Sequence, residues 1–148
     1  MRVLHDALTV EDRFEITQVL ARYGHVMDGR DRSGLAEVFA PEATFDVTSV
    51  GGPVYRGLAE LEGFLALGDS VHPPFHLLAN AWVFLEGGEV VSLSKWLTID
   101  QHNGLPRSGD YRDTWRRTPG GWRISARVAR VRWTGGPWSE GYDAPDRG

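Results

Sequence analysis

The chain has no cysteine in 148 residues, which excludes disulfides, thiolate nucleophiles and any zinc or iron–sulfur site that needs a thiolate ligand. It has no long apolar run either. Met1 to Arg13 is interrupted by Arg2, Asp6, Glu11 and Asp12, so neither a signal peptide nor a membrane span is expected, and the expected location is cytoplasmic. An excess of positive charge is also missing: sixteen basic against twenty acidic residues give a formal charge of -4, the wrong sign for tracking nucleic-acid phosphates. No glycine-rich loop leads from a strand into a helix, which argues against a dinucleotide or nucleoside triphosphate, and no serine sits in a nucleophile elbow. The length suits one domain around one core, without repeats.

Hydrophobic periodicity carries most of the positive information. Ile16, Val19, Leu20, Tyr23 and Met27 follow the i, i+3, i+4, i+7 rhythm of an amphipathic helix. That pattern predicts a helix over Val10 to Asp28, opened by a capping box of Thr9 and Asp12. Asp28 arrives at the rim of the apolar stripe, where a carboxylate is costly unless paired, and His76 is the candidate partner. Leu35, Val38 and Phe39 predict a short second helix closing at Ala40-Pro41. A short strand over Ala43 to Val47 and a turn at Gly51-Gly52-Pro53 follow. A third helix carrying Leu58, Leu61, Phe64 and Leu65 runs from Gly57 to near Gly68, and His72-Pro73-Pro74 prevents its continuation.

From Phe75 the period changes to two. Four long strands are expected over Phe75–Leu85, Val90–Asp100, Asp110–Thr118 and Trp122–Trp133, with hairpins at Gly87-Gly88 and Gly120-Gly121. Strict alternation places His76, Leu78, Asn80, Trp82 and Phe84 together on one face. It also places Tyr111, Asp113, Trp115 and Arg117 together, on a face taken as pocket-facing. In the last strand the apolar set shifts parity beyond Val128, which predicts a β-bulge between Val128 and Arg130 that bends the sheet. Leu77, Val83, Leu93 and Leu97 predict an apolar outer face, and hence a homodimer. Residues 134–148 read as a Gly/Pro-rich tail with Trp138 and Tyr142 available to cover a pocket or a neighbouring subunit.

Three helices on one strongly curved mixed or antiparallel sheet make an α+β plan. The segments Ala21-Arg22-Tyr23 to Asp28, Leu35 to Phe45 and Tyr111 to Ile124 resemble the SnoaL-like branch of the nuclear-transport-factor-2-like (NTF2-like) cone fold over roughly residues 9 to 133. That group includes polyketide cyclases, scytalone dehydratase, hexachlorocyclohexane dehydrochlorinase and bile-acid 7α-dehydratase. The resemblance implies that Asp28, ending the first helix, orients His76 on the first long strand, and that Tyr23 matches a tyrosine of the bile-acid dehydratase. It puts Arg117 or Arg116 near an arginine that receives a leaving anion in the dehydrochlorinase. Ser94 stands where scytalone dehydratase has a second histidine, and Val47 where it has a second tyrosine.

A histidine backed by a carboxylate is a general base of set tautomer. His76 and Asp28 are therefore the candidate catalytic pair. Tyr23, Asn80, Trp82, Ser94, Trp96, Tyr111, Asp113, Trp115 and Arg117 are the candidate substrate contacts, with the tryptophans offering flat walls to a hydrophobic or aromatic small molecule. The expected activity is that of a cofactor-independent lyase, isomerase or cyclase. The alternative is a non-catalytic ligand-binding or accessory subunit, like the β subunits of ring-hydroxylating dioxygenases. Blander readings stand beside each residue: His76 as a half-buried strand histidine, Asp28 as a cap on the second helix, and Asp113 with Arg117 as a structural ion pair. No metal is expected, because Pro73-Pro74 keeps His72 and His76 off a helix, and extended residues four apart do not share one ion.

Overall fold

The computed structural model describes residues 8–133; the N-terminal heptad and the tail with Trp138 and Tyr142 lie outside the described residues. Helix α1 covers Val10–Asp28, and its N-terminus carries the reciprocal capping box, with the Asp12 amide donating to the Thr9 hydroxyl and the Thr9 amide donating to the Asp12 carboxylate. The five predicted stripe residues are all buried. Each such side chain contributes about 1.5–3 kcal/mol relative to leaving it in water, so packing rather than propensity holds this helix in place. Helix α2 is a single turn, Leu35–Val38, and α3 spans Gly57–Leu65.

The strands are β1 (Phe39–Asp46), β2 (Val54–Arg56), β3 (Leu77–Glu86), β4 (Glu89–Ile99), β5 (Pro106–Thr118) and β6 (Gly121–Trp133). They form one open sheet in the order β2-β1-β6-β5-β4-β3, parallel only between β1 and β6. The helices pack into its concave side, giving the expected α+β cone. Strand β2 was not foreseen: three residues of mixed burial leave too short a pattern to read.

Two bulges decide which side chains face the core. In β3, Ala79 pairs with Lys95 but Trp82 pairs with Leu93, so one extra residue is accommodated at Asn80–Ala81, and Asn80 adopts a left-handed φ of 54°. The faces exchange there. His76 and Leu78 precede the exchange. Beyond it Val83 turns inward and is buried, whereas Trp82 is 63% exposed on the outer face with its ring against Phe84.

In β6 the bulge lies at Ser125, between the pairs Trp115–Ile124 and Thr114–Ala126, and a second irregularity lies near Trp133. The ladder is regular from Ala126 to Val131, so the predicted site at Val128–Arg130 is corrected. Its misplacement has a specific cause: after Ile124 the inward residues are Arg127 and Ala129, and Val128 points out. A buried arginine inverts the apolar pattern for three residues.

Candidate functional site

Helix α1 ends where the approach to β3 begins, and the two meet closely. A Cβ on Gly24 would stand 2.9 Å from the His76 carbonyl oxygen, so the absence of a side chain there permits the contact. Asp28 then holds His76 twice: its Oδ1 lies 2.7 Å from the ring Nδ1, and its Oδ2 accepts from the His76 amide at 3.1 Å. A carboxylate bound to both backbone and ring of one residue fixes position and tautomer together. Since an ionised carboxylate only accepts, Nδ1 carries the proton and Nε2 is left bare. Burial pushes the His76 pKa below the usual histidine value, the Asp28 contact opposing it in part, so the ring is neutral near pH 7. Arg30 braces the approach to β3 by donating to the carbonyls of His72 and Pro73, both at 3.3 Å.

His76 lines a cavity of about 240 Å³. Its walls are Tyr23, Met27, Phe45, Tyr55, Phe64, Trp96 and Tyr111, and its polar lining includes His72, His76 and Arg107. The hydroxyls of Tyr23 and Tyr111 lie 3.3 Å apart. Burial raises the pKa of both phenols, that of Tyr111 strongly, so each keeps its proton. Only one O–H is consumed by their mutual bond, and the other remains a donor.

Behind the tyrosines lies a buried cation. The Arg127 guanidinium is fully buried, 4.1 Å from the Tyr23 ring centroid and 4.0 Å from that of Tyr111. It makes two bonds to the Asp113 carboxylate, Nε to Oδ1 at 2.7 Å and Nη2 to Oδ2 at 2.8 Å. Burial alone would favour loss of the proton, but Asp113 raises the Arg127 pKa beyond its ordinary value. The cation sits across two π faces and so holds both rings at the cavity floor.

Of the predicted contacts, Tyr23, Trp96 and Tyr111 line the cavity with His76. The others do not, and each departs for a definite reason. Asn80 lies in the β3 bulge and Trp82 beyond it, and both are exposed. Asp113 shares the inward face of Tyr111, but it is sealed beneath the floor with Arg127 rather than with Arg117. Trp115 is buried further along, donating its indole N–H to Ser92 at 2.8 Å. Ser94 is buried and its Oγ has no partner among the described residues. Arg117 reaches the far end of the sheet, where it pairs with Asp12 beside Trp122. His72, Tyr55 and Arg107 were missed as lining residues: His72 lies in an irregular segment, Tyr55 in a three-residue strand, and Arg107 in the first part of β5, which starts at Pro106 rather than at the expected Asp110. Among the described residues no group of three or more His, Asp or Glu side chains is placed to hold a metal ion.

The chain has relatives in sequence and in fold. An uncharacterized protein of Mycobacterium tuberculosis is 31% identical over 130 residues, covering 80% of this chain and 84% of its own. Among solved structures, an NTF2-like protein with a cystatin-like fold from Novosphingobium aromaticivorans superposes with a TM-score of 0.71 at 28% identity over 82% of each chain. A hexachlorocyclohexane dehydrochlorinase from Novosphingobium barchaimii superposes at 0.70, covering 84% of this chain and 88% of its own, but at 16% identity this is a likeness of fold alone. No helix among the described residues is long and apolar enough to cross a membrane. The SnoaL-like domain model matches residues 8–128, the span that holds the Asp28–His76 pair and every cavity-lining residue but Ala129, and the chain belongs to that family.

Proposed function

We propose that the protein is a cofactor-independent lyase, isomerase or cyclase in which His76 removes a proton from a carbon acid bound in the aromatic cavity. The observation that carries this reading is the 2.7 Å contact of Asp28 with Nδ1, which leaves Nε2 bare on a ring that lines the cavity. A C–H bond adjacent to a carbonyl breaks, its proton goes to Nε2, and its electron pair moves to the carbonyl oxygen. Asp28 stabilises the imidazolium, and the spare Tyr23 or Tyr111 O–H donates to the developing oxyanion. The proton then returns to another position, or the carbanion expels a leaving group or closes a ring. A cavity of 150 Å³ accommodates benzene, so this one holds a ligand of roughly ten non-hydrogen atoms.

The test is exchange of carbon-bound hydrogen with solvent deuterium in a panel of small aryl ketones. Loss of about 10²–10⁴-fold in rate is expected in both His76→Ala and Asp28→Asn. Ligands that bind tightly while no exchange exceeds the buffer rate would favour the accessory-subunit reading instead.

The same reading includes a homodimer through the outer face of the sheet. Leu77, Trp82 and Leu97 are exposed there, with Trp82 occupying the place first given to Val83. Sedimentation equilibrium should give twice the chain mass, and Trp82→Ser should shift the protein toward monomer.

A further inference from the structure

The base accounts for one polar edge of the cavity, and a second imidazole lies beside it unused. His72 is 2% exposed and its Nε2 lies 2.7 Å from the Phe64 carbonyl oxygen. A carbonyl cannot donate, so Nε2 carries the proton and Nδ1 holds a free lone pair. The ring is held edge-on to Phe64, with centroids 4.5 Å apart, which prevents it from turning over without losing that bond. Among the described residues Nδ1 makes no hydrogen bond, and it is not one of the sealed, unpaired side-chain atoms, Ser94 Oγ and Arg127 Nη1. His72 lines the cavity, and its unpaired Nδ1 is the ring nitrogen left available to a ligand.

We infer that His72 is a recognition residue of this cavity, its bare Nδ1 accepting a hydrogen bond from a ligand hydroxyl, so that the ligands of the site are hydroxyl-bearing apolar rings. The inference rests on the reading of the cavity as the active site. Burial lowers the His72 pKa, with the Phe64 bond opposing and nearby Arg30 assisting, so the ring stays an acceptor at neutral pH. The cavity then offers two imidazole acceptors, His72 Nδ1 and His76 Nε2, beside the donors of one spare tyrosine O–H and the Arg107 guanidinium. A ligand without donors can satisfy the tyrosine and Arg107 but leaves both imidazoles bare. A phenol, enol or alcohol fits both sides: its hydroxyl hydrogen goes to His72, and a carbonyl oxygen elsewhere on it takes the tyrosine O–H. This arrangement selects against halogenated hydrocarbons and for oxygenated rings.

Isothermal titration with 2-naphthol and 2-methoxynaphthalene separates the donor from the ring. About tenfold tighter binding of the naphthol is expected, the scale of one net hydrogen bond. His72→Phe should abolish that preference, the naphthol losing more affinity than the methoxynaphthalene, and His76→Ala should keep it. Equal binding, binding of neither probe, a preference that survives His72→Phe, or one that disappears in His76→Ala overturns the inference. Nitrogen-15 NMR of histidine-labelled wild-type protein gives a readout that needs no variant to fold: the His72 Nδ1 resonance should move toward the protonated position with 2-naphthol only, and an unmoved resonance overturns the inference. Failure of the base assignment looks different, as deuterium exchange that survives His76→Ala while the His72-dependent preference stands.

Discussion

Replacing Arg127 with methionine would leave the Asp113 carboxylate buried without its counter-ion. Both side chains are 0% exposed, and removing one partner of such a pair costs about 3–5 kcal/mol, mostly the penalty of the stranded charge. Loss of the two tyrosine faces at 4.0 and 4.1 Å adds about 1 kcal/mol or more. The expected total is roughly 4–6 kcal/mol, against about 5–15 kcal/mol for a whole domain, so the variant should remain folded with little margin. At about 3 °C per kcal/mol for a chain of this size, Tm should fall by roughly 12–18 °C. Removing both charges, as Arg127→Met with Asp113→Leu, should recover most of the loss, because neither group is then stranded. Urea denaturation of wild type, the two single variants and the double variant gives the coupling directly. A cost below about 1 kcal/mol for Arg127→Met, or a double variant less stable than either single one, would refute the reasoning.

The remaining expectations concern pH and the dyad. Burial lowers the pKa of both His72 and His76, so the unfolded chain binds protons first as pH drops. The stability they confer is present above the ordinary histidine pKa of about 6.5 and is lost as pH falls through their depressed folded values; urea midpoints measured in steps from about pH 7 to pH 5 should decline. Asp12 acts lower: burial raises its pKa, but hydrogen bonds from Thr9, Trp122 and Arg117 outweigh this and hold it at about 2. A contribution on the order of 2 kcal/mol should therefore persist down to about pH 4 and vanish toward pH 2, absent in Asp12→Asn. In the exchange assay the acid limb reports His76, and Asp28→Asn should move it to lower pH, because the carboxylate favours the imidazolium. Gly24→Ala places a methyl 2.9 Å from the His76 carbonyl oxygen; about 1–3 kcal/mol of stability should be lost, and the Nδ1–H proton signal should shift as α1 is pushed from β3.

Legibility followed the range of the interactions. Helix α1 was readable to its last residue, because its stripe, capping box and terminal Asp28 are all local in sequence. The partnership of Asp28 with His76, 48 residues away, was reached through the resemblance to a known family and through the need of a rim carboxylate for a partner. The cavity walls divide instructively. Tyr23 and Tyr111 follow from parity within uninterrupted stretches of helix and strand, whereas Asn80 and Trp82 were assigned to the pocket by carrying alternation through a bulge.

The sequence by itself determined the α+β plan and the order of the long elements, since these rest on periodicity, caps and turns spanning a few residues, while the meeting of a carboxylate and a histidine at the end of the first helix was implied by the resemblance to a known family. The tertiary structure alone decided which face each strand shows beyond Asn80 and Ser125, and with that the burial of Arg127 against Asp113. One extra residue in a strand reverses every side chain after it, and where that residue is absorbed depends on the register with the neighbouring strand rather than on the strand's own composition.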